Sequence, residues 1–124
     1  MILDAGPLIT ADRDRRAFAA IVQAALENDS TLRTTEAIVA QVWRSSRQAN
    51  LASALAAIEI HPEFGNGRHV GELLGATETS DPIDAHLAIL ARRMAEPILT
   101  ADITDFKKLA EHAEVRIVPW NTPS

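Results

Sequence analysis

The sequence predicts one α/β domain, a three-layer α/β/α sandwich with a central, mostly parallel sheet of four to five strands. Short β-like runs alternate with longer runs of helical periodicity along the whole chain, which is typical of this fold class. The 124 residues suit a single domain spanning 1–124, and no linker, repeat or low-complexity tract marks a second unit. Apolar residues make up 47% and charged residues 23%, as in ordinary globular chains, so the composition excludes disorder.

The predicted elements of the first half follow from short apolar runs and from apolar positions three and four residues apart. Residues 1–4 are predicted to form the first strand, and Gly6-Pro7 to turn the chain into a short helix with Pro7 at its first position. Helical spacing predicts helices over about 13–28, 35–44 and 47–57. Short strands are predicted at 32–34 and 58–61, followed by a turn at 64–67 and a short helix over about 68–76.

The second half of the chain carries clearer signals. Asp81-Pro82 is predicted to open a helix with Ile83, Leu87, Leu90 and Met94 along one face. Strands are predicted at 97–100 and 115–118, with a helix over 104–112 between them. In open parallel sheets, ligands bind beyond the carboxyl ends of the strands, where the direction of the crossovers reverses. Polar residues just after a central strand are therefore candidates for a functional site.

Charge and composition exclude several classes of protein. The net charge is −5, from 12 basic and 17 acidic residues, which argues against a simple nucleic-acid-binding module. It argues less against a nuclease, because clustered active-site carboxylates lower the net charge. The chain has no cysteine, which excludes disulfides and thiolate metal sites. No run approaches the ~18 apolar residues of a membrane span, and the chain starts on a predicted strand without an export signal, so we expect no membrane association and a cytoplasmic location.

Three aspartates are candidates for a metal site. Asp4 ends the first predicted strand and Asp102 follows strand 97–100, so both emerge at one edge if these strands are central and parallel. Asp84 lies in the first turn of the helix opened at Asp81, and the sequence leaves open whether that turn reaches the same edge. Grouped carboxylates repel one another unless a cation joins them. Mg²⁺ or Mn²⁺ favours such oxygen ligands and can activate water against a phosphodiester.

Helix capping is the competing interpretation of these acids. Asp81, with Asp84 three residues later, suits an N-cap followed by an acid in the first turn. Asp102 and Asp105 suit the same role before the next helix. Asp4 differs from them, because an acid that ends a first strand of this kind is not needed for any cap. Asp4 is therefore the strongest candidate for chemistry.

Three segments resemble, in order and in spacing, the motifs of PIN-domain ribonucleases. They are Ile2-Leu3-Asp4-Ala5-Gly6-Pro7-Leu8, the helical Thr79-Ser80-Asp81-Pro82-Ile83-Asp84-Ala85-His86-Leu87-Ala88, and Ile98-Leu99-Thr100-Ala101-Asp102-Ile103-Thr104-Asp105-Phe106 with its Thr-x-Asp word. Within that family the chain resembles the VapC-type toxins of bacterial toxin–antitoxin pairs. The resemblance implies a homodimeric Mg²⁺- or Mn²⁺-dependent endoribonuclease, silenced by a small antitoxin that plugs its groove. It implies that Asp4, Asp84 and Asp102 are the metal-site acids, with Asp81 and Asp105 as supporting charges.

One position departs from the family pattern. Where the family commonly has Ala-Glu-Val-Trp-Arg, this chain has Ala40-Gln41-Val42-Trp43-Arg44. Gln41 could offer a carbonyl oxygen to a cation but has no charge and cannot act as a base, and Glu36 would lie about 140° away around the helix. The alternative function is therefore a catalytically weak or silent PIN-like binding module. Arg44 and Arg47 follow this helix and are candidates for contacts with RNA phosphates.

Two further expectations concern assembly and a rival enzyme class. Helices 35–44 and 47–57 are apolar beyond what one small core needs, so a two-fold homodimer is expected through Ile38, Val42, Leu51 and Leu55. A phosphoacceptor or phosphatase domain also places an aspartate at a strand end. A haloacid-dehalogenase-type site would carry a second aspartate two residues after the first, but in Asp4-Ala5-Gly6 that position is glycine. We therefore rank the phosphoacceptor or phosphatase class far below the nuclease.

Overall fold

The computed structural model describes residues 1–62 and 67–120, so the turn predicted at 64–67 falls almost wholly outside the described residues. Five strands form one sheet: Ile2–Leu3 (β1), Arg33–Thr35 (β2), Glu59–His61 (β3), Ile98–Thr100 (β4) and Ile117–Pro119 (β5). Their order is β3-β2-β1-β4-β5, and every pair is parallel. The predicted α/β class and mostly parallel sheet are confirmed, and the described sheet is wholly parallel.

The described residues form seven helices, each close to its predicted position. They are Ala5–Arg13 (α1), Arg15–Glu27 (α2), Glu36–Val42 (α3), Ala49–Ala56 (α4), Gly67–Thr77 (α5), Pro82–Met94 (α6) and Ile103–Ala113 (α7). One local prediction is wrong, because α1 begins directly after Asp4 and Gly6-Pro7 is helical instead of forming a turn. Pro7 is the third helical residue, where its missing N–H costs nothing, since the first-turn N–H groups have no partner within the helix.

The direction of the crossovers divides the helices into two layers. From β1 the chain moves outward to β2 and β3, and it then crosses back to β4 and β5 on the other side of β1. Because such crossovers are right-handed, the two directions place their helices on opposite faces of the sheet. The contacts agree, since α1 packs against α2, α3 and α4, whereas α5, α6 and α7 pack against one another. The crossover direction reverses between β1 and β4, at the position where α/β folds bind ligands.

The core lies on both faces of the two central strands. Ile2, Leu3 and Ile98 are fully buried, as expected for parallel strands covered by helices on each side. Ile38 and Leu51 are also fully buried, and Val42 nearly so, within the core of the single chain. The expectation that these three residues are left over for a dimer interface is therefore wrong, because packing of α3 and α4 on α1 and the sheet already covers them, whereas Leu55, the fourth residue of the predicted interface, is half-buried. Within the described residues, no helix is long and apolar enough to cross a membrane.

Candidate active site

Asp4 lies at the point where the crossover direction reverses, between the end of β1 and the start of α1. Its backbone N–H donates to the carbonyl of Leu99 on β4 at 3.0 Å, which extends the parallel pairing by one residue. Asp4 occupies the N-cap position of α1, yet its side chain makes no capping hydrogen bond. The buried carboxylate instead accepts a hydrogen bond from the Thr100 hydroxyl at 2.7 Å. Asp4 thus lies at an N-cap position that the sequence did not predict, although its side chain makes no capping hydrogen bond.

Thr100 joins the first and last aspartates of the predicted site. Its hydroxyl donates to Asp4 Oδ2 and accepts from the backbone N–H of Asp102 at 2.9 Å, and the side chain is fully buried. The hydroxyl therefore acts as donor and acceptor at once, and its hydrogen bond to Asp4 joins the ends of β1 and β4. Thr100 was not among the residues predicted for the site. The Thr-x-Asp motif could have identified Thr100, because its threonine is the last residue of β4.

Asp81 and Asp102 both cap helices, as the competing interpretation predicted. Asp81 Oδ1 accepts from the backbone N–H of Ile83 at 2.9 Å and of Asp84 at 3.3 Å, at the start of α6. Asp102 Oδ1 accepts from the N–H of Asp105 at 3.2 Å, at the start of α7. Each cap uses one carboxylate oxygen, and both side chains are exposed. Capping therefore leaves the second oxygen of each carboxylate available for another ligand.

The question left open about Asp84 is answered by the path of α6. This helix leads directly into β4 and packs on it, so it runs against the strand direction and begins at the carboxyl edge. Asp84, in its first turn, is half-buried there. The pKa of Asp84 is raised from a usual 3.8 to about 7, first by burial and then by the charges of Asp81, Asp4, Asp105 and Asp102, in that order. All five aspartates therefore lie within electrostatic reach of one another.

The pKa values of two other aspartates respond to the same crowding. Burial raises the pKa of Asp4 above its usual range, the Thr100 hydroxyl opposes this rise, and Asp102 and Asp81 add to it. The side-chain hydrogen bond with Asp102 raises the pKa of Asp105, and the charges of Asp102, Asp81 and Asp4 act in the same direction. Electrostatic repulsion among these carboxylates is thus built into the edge of the sheet.

Comparison with solved structures agrees with this architecture. The chain is similar to VapBC2 from Rickettsia felis, determined bound to a DNA fragment from its promoter. The superposition has a TM-score of 0.69, covers 97% of this chain and 98% of that one, and has 18% sequence identity. The chain has a PIN-like fold. No protein-family model matches the sequence, and no curated protein matches it either.

In this PIN-like fold the three motif segments all reach the carboxyl edge of the sheet. The first segment ends β1 and begins α1, the second begins α6, and the third joins β4 to α7. Among the described residues, helices α1, α3, α6 and α7 begin at the carboxyl edge, and the partial positive charge at their amino termini favours anions there. The edge thus combines acidic side chains with backbone groups that tolerate negative charge.

The donor set at this edge suits a hard divalent cation. All five side chains present carboxylate oxygens, the ligands that Mg²⁺ and Mn²⁺ prefer. Over the stretches 1–62 and 67–120, no three acidic or histidine side chains are already arranged to hold one ion. Mg²⁺, however, usually takes only one or two carboxylates and completes its shell with waters and phosphate oxygens. Asp4 with one or two neighbours fits that mode of binding.

The remaining predicted site residues lie further from the aspartates. Gln41 is exposed near the end of α3, five residues after Glu36 and so roughly 7.5 Å along the helix from the edge. Arg44 donates to the carbonyls of Ala40 and Trp43, which closes the carboxyl end of α3. No hydrogen bond or ion pair among the described residues joins Gln41, Arg44 or Arg47 to an aspartate of the cluster.

A hydrogen bond fixes where the loop that carries these arginines lies. The side-chain amide of Gln48 donates to Asp12 Oδ2 at 3.2 Å and its oxygen accepts from the N–H of Arg44. Asp12 lies eight residues after Asp4 on α1, a rise of roughly 12 Å along the helix. Arg44 and Arg47 therefore lie beside the far end of α1, near the exposed Arg13.

Proposed function

We propose that this protein is a metal-dependent endoribonuclease and the toxin of a VapBC-type toxin–antitoxin pair. The observation that carries the proposal is the environment of Asp4. Its buried carboxylate lies where the crossovers reverse, is held by Thr100 instead of capping a helix, and faces other acidic side chains. The likeness to VapBC2 supports the toxin–antitoxin assignment.

In this proposal Asp4, Asp84 and Asp102 hold Mg²⁺ or Mn²⁺, and Asp81 and Asp105 add negative charge around it. When bound, the cation supplies Lewis-acid chemistry, activating water and stabilising charge on an RNA phosphodiester. Thr100 orients Asp4 by donating to its Oδ2. Without a cation the pKa of Asp84 is about 7, and a bound cation would favour its ionised, metal-binding form.

The proposal includes partners that the cluster itself does not describe. RNA is the substrate, and Arg44 and Arg47, with Arg13 beside them, would contact phosphates away from the cut bond. A small antitoxin would bind the chain and silence it, and the likeness to VapBC2 supports such a partner. A homodimer is also proposed, with an interface that does not use the buried apolar stripe of α3 and α4.

A silent PIN-like binding module is the second candidate function. Two observations favour it: Gln41 replaces the expected acid, and the described carboxylates are not prearranged as a three-ligand site. Such a module would bind a protein or RNA without cutting it. It shares the fold with the nuclease, so metal binding and cleavage separate the two candidates.

The test combines calorimetry with Mn²⁺ and cleavage of a fluorescent single-stranded RNA. Asp4→Asn and Asp102→Asn are suitable variants, because asparagine can still accept from Thr100 and is a good N-cap. Glu111→Gln is the matched control, since it removes one negative charge from the exposed surface of α7. We expect wild type and Glu111→Gln to bind Mn²⁺ and cut RNA, and both aspartate variants to lose binding and cleavage.

Two results would change the assignment. Mn²⁺ binding without cleavage in the wild type, combined with retained RNA or protein binding, would favour the silent module. Cleavage that survives Asp4→Asn would mean that the nuclease activity does not come from this site. The toxin role is tested separately by co-expressing the chain with the product of a short neighbouring reading frame. Co-purification and relief of growth arrest are expected.

A further inference from the structure

Gly6 makes an unusually close contact with the loop that carries Asp102. A Cβ atom added to Gly6 would lie 2.7 Å from the Cβ of Ala101, a distance that real Cβ atoms essentially never show, and 3.3 Å from the backbone N of Ala101. The obstacle is a methyl group fixed to the backbone, so it cannot rotate away as the end of a long side chain could. A side chain at Gly6 therefore requires the two segments to separate.

The two contacting residues belong to the segments that carry Asp4 and Asp102. Gly6 lies two residues after Asp4, in the first turn of α1, and Ala101 immediately precedes Asp102. The strands before them pair in register, with Leu3 opposite Leu99. The contact between Gly6 and Ala101 therefore lies between the two segments that carry Asp4 and Asp102.

Hydrogen bonds and a buried neighbour restrain Gly6 within the first turn of α1. The carbonyl of Gly6 accepts from the Thr10 hydroxyl at 3.2 Å, and that hydroxyl accepts from the indole N–H of Trp120 at 3.2 Å. Pro7 is buried, whereas Ala101 and Asp102 are both exposed. Any separation forced at this contact therefore moves the Ala101 loop more easily than it moves α1.

We propose that Gly6 is a positioning residue, whose contact with Ala101 sets the separation of the Asp4 and Asp102 carboxylates. This inference rests on the proposed metal-binding function of the same edge. Ordinary contact begins at 3.4 Å, so a methyl group at Gly6 displaces the loop by at least about 0.7 Å from the 2.7 Å position. Because Mg²⁺ and Mn²⁺ hold their oxygen ligands within narrow distance limits, a shift of this size disrupts shared binding by the two carboxylates.

The test measures Mn²⁺ affinity by calorimetry and, separately, thermal stability in chelator. Gly6→Ala is expected to weaken Mn²⁺ binding about tenfold or more, since displacements near 1 Å have effects of this size or larger. Its melting temperature without metal should stay close to that of wild type. Gly71→Ala is the matched control, because a Cβ at this exposed helical glycine meets nothing within 4 Å. The control should bind Mn²⁺ as wild type does.

A compensating change distinguishes positioning from a general defect. In the double variant with Ala101→Gly, the 2.7 Å contact is removed and the nearest remaining atoms are the backbone N and Cα of residue 101, at 3.3 and 3.6 Å, so affinity should return to within about threefold of wild type. Ala101→Val presses on the same contact from the exposed loop. It should weaken Mn²⁺ binding as Gly6→Ala does, and it serves as the test if Gly6→Ala does not fold.

The possible failures are distinguishable. Wild-type protein that does not bind Mn²⁺ would contradict the proposed function, and this inference would fall with it. If wild type binds Mn²⁺ and neither Gly6→Ala nor Ala101→Val weakens that binding, the positioning role of Gly6 is overturned while the proposed function stands. Weakened binding that the double variant does not restore, together with a large loss of metal-free stability, would also overturn it, because the role of Gly6 would then be structural.

Discussion

Replacing Asp84 by asparagine removes the carboxylate that the other four aspartates crowd most. In the folded protein the pKa of Asp84 rises from 3.8 to about 7, chiefly through burial and then through the charges of Asp81 and Asp4. Between these two pH values the folded protein binds more protons than the unfolded chain, so its stability falls as pH rises. Asp84→Asn abolishes this loss. The variant should therefore be more stable than wild type above pH 7 when no divalent cation is present.

The size of the effect follows from the pKa. The difference between 3.8 and about 7, at about 1.4 kcal/mol for each pKa unit, sets a ceiling of about 4 kcal/mol. Asp84 is only half-buried, so screening by solvent reduces the expected gain to about 1–2 kcal/mol. For a chain of this length that corresponds to roughly 3–8 °C in Tm. The gain should be clearly smaller at about pH 5, where roughly two-fifths of the penalty has developed.

Thermal unfolding in chelator at about pH 5 and about pH 8 measures both values. Glu111→Gln removes the same charge from an exposed position on α7 and controls for the change in net charge. Adding Mn²⁺ at pH 8 should raise the Tm of wild type more than that of Asp84→Asn, if the cation neutralises this cluster. The reasoning would be refuted by a variant no more stable than wild type at pH 8, or by an advantage that does not shrink at pH 5.

Three other predictions concern single side chains. Thr100→Val should lower the free energy of unfolding, measured by urea titration, by about 1–3 kcal/mol and should weaken Mn²⁺ binding, because it removes the buried hydroxyl that donates to Asp4. Thr100→Ser keeps the hydroxyl and should behave as wild type. Gln41→Glu should tighten Mn²⁺ binding several-fold and raise RNA cleavage at fixed salt, whereas Gln41→Ala should change neither. If Gln41→Glu leaves both Mn²⁺ affinity and cleavage unchanged, Gln41 lies away from the site. Burial acts to raise the pKa of Glu96, but hydrogen bonds to the terminal amine and Arg33 hold it below its usual range, so stability should fall as pH drops below 4.5. Urea titrations of Glu96→Gln should lack that fall, and an unchanged acid profile would contradict the assignment.

Much of the fold could be predicted from the sequence because its signals are local. Apolar spacing located each helix and strand among the described residues to within a few positions, since periodicity depends only on neighbouring residues. The caps formed by Asp81 and Asp102 were also predictable, because a capping carboxylate bonds backbone N–H groups two or three residues away. The exception was the start of α1, where Gly6-Pro7 carries a turn signal that is equally compatible with the first turn of a helix.

The sequence by itself determined the element order, the parallel α/β class and the candidate acids at the strand ends. Only the tertiary structure decided that Asp84 reaches the same edge as Asp4, that Thr100 spans 96 residues to hold that carboxylate, and that Ile38 and Leu51 are buried in the chain's own core. These outcomes depend on strand order, register and the face on which each helix packs. Such long-range relations arise from packing the whole chain, and no local pattern of residues encodes them.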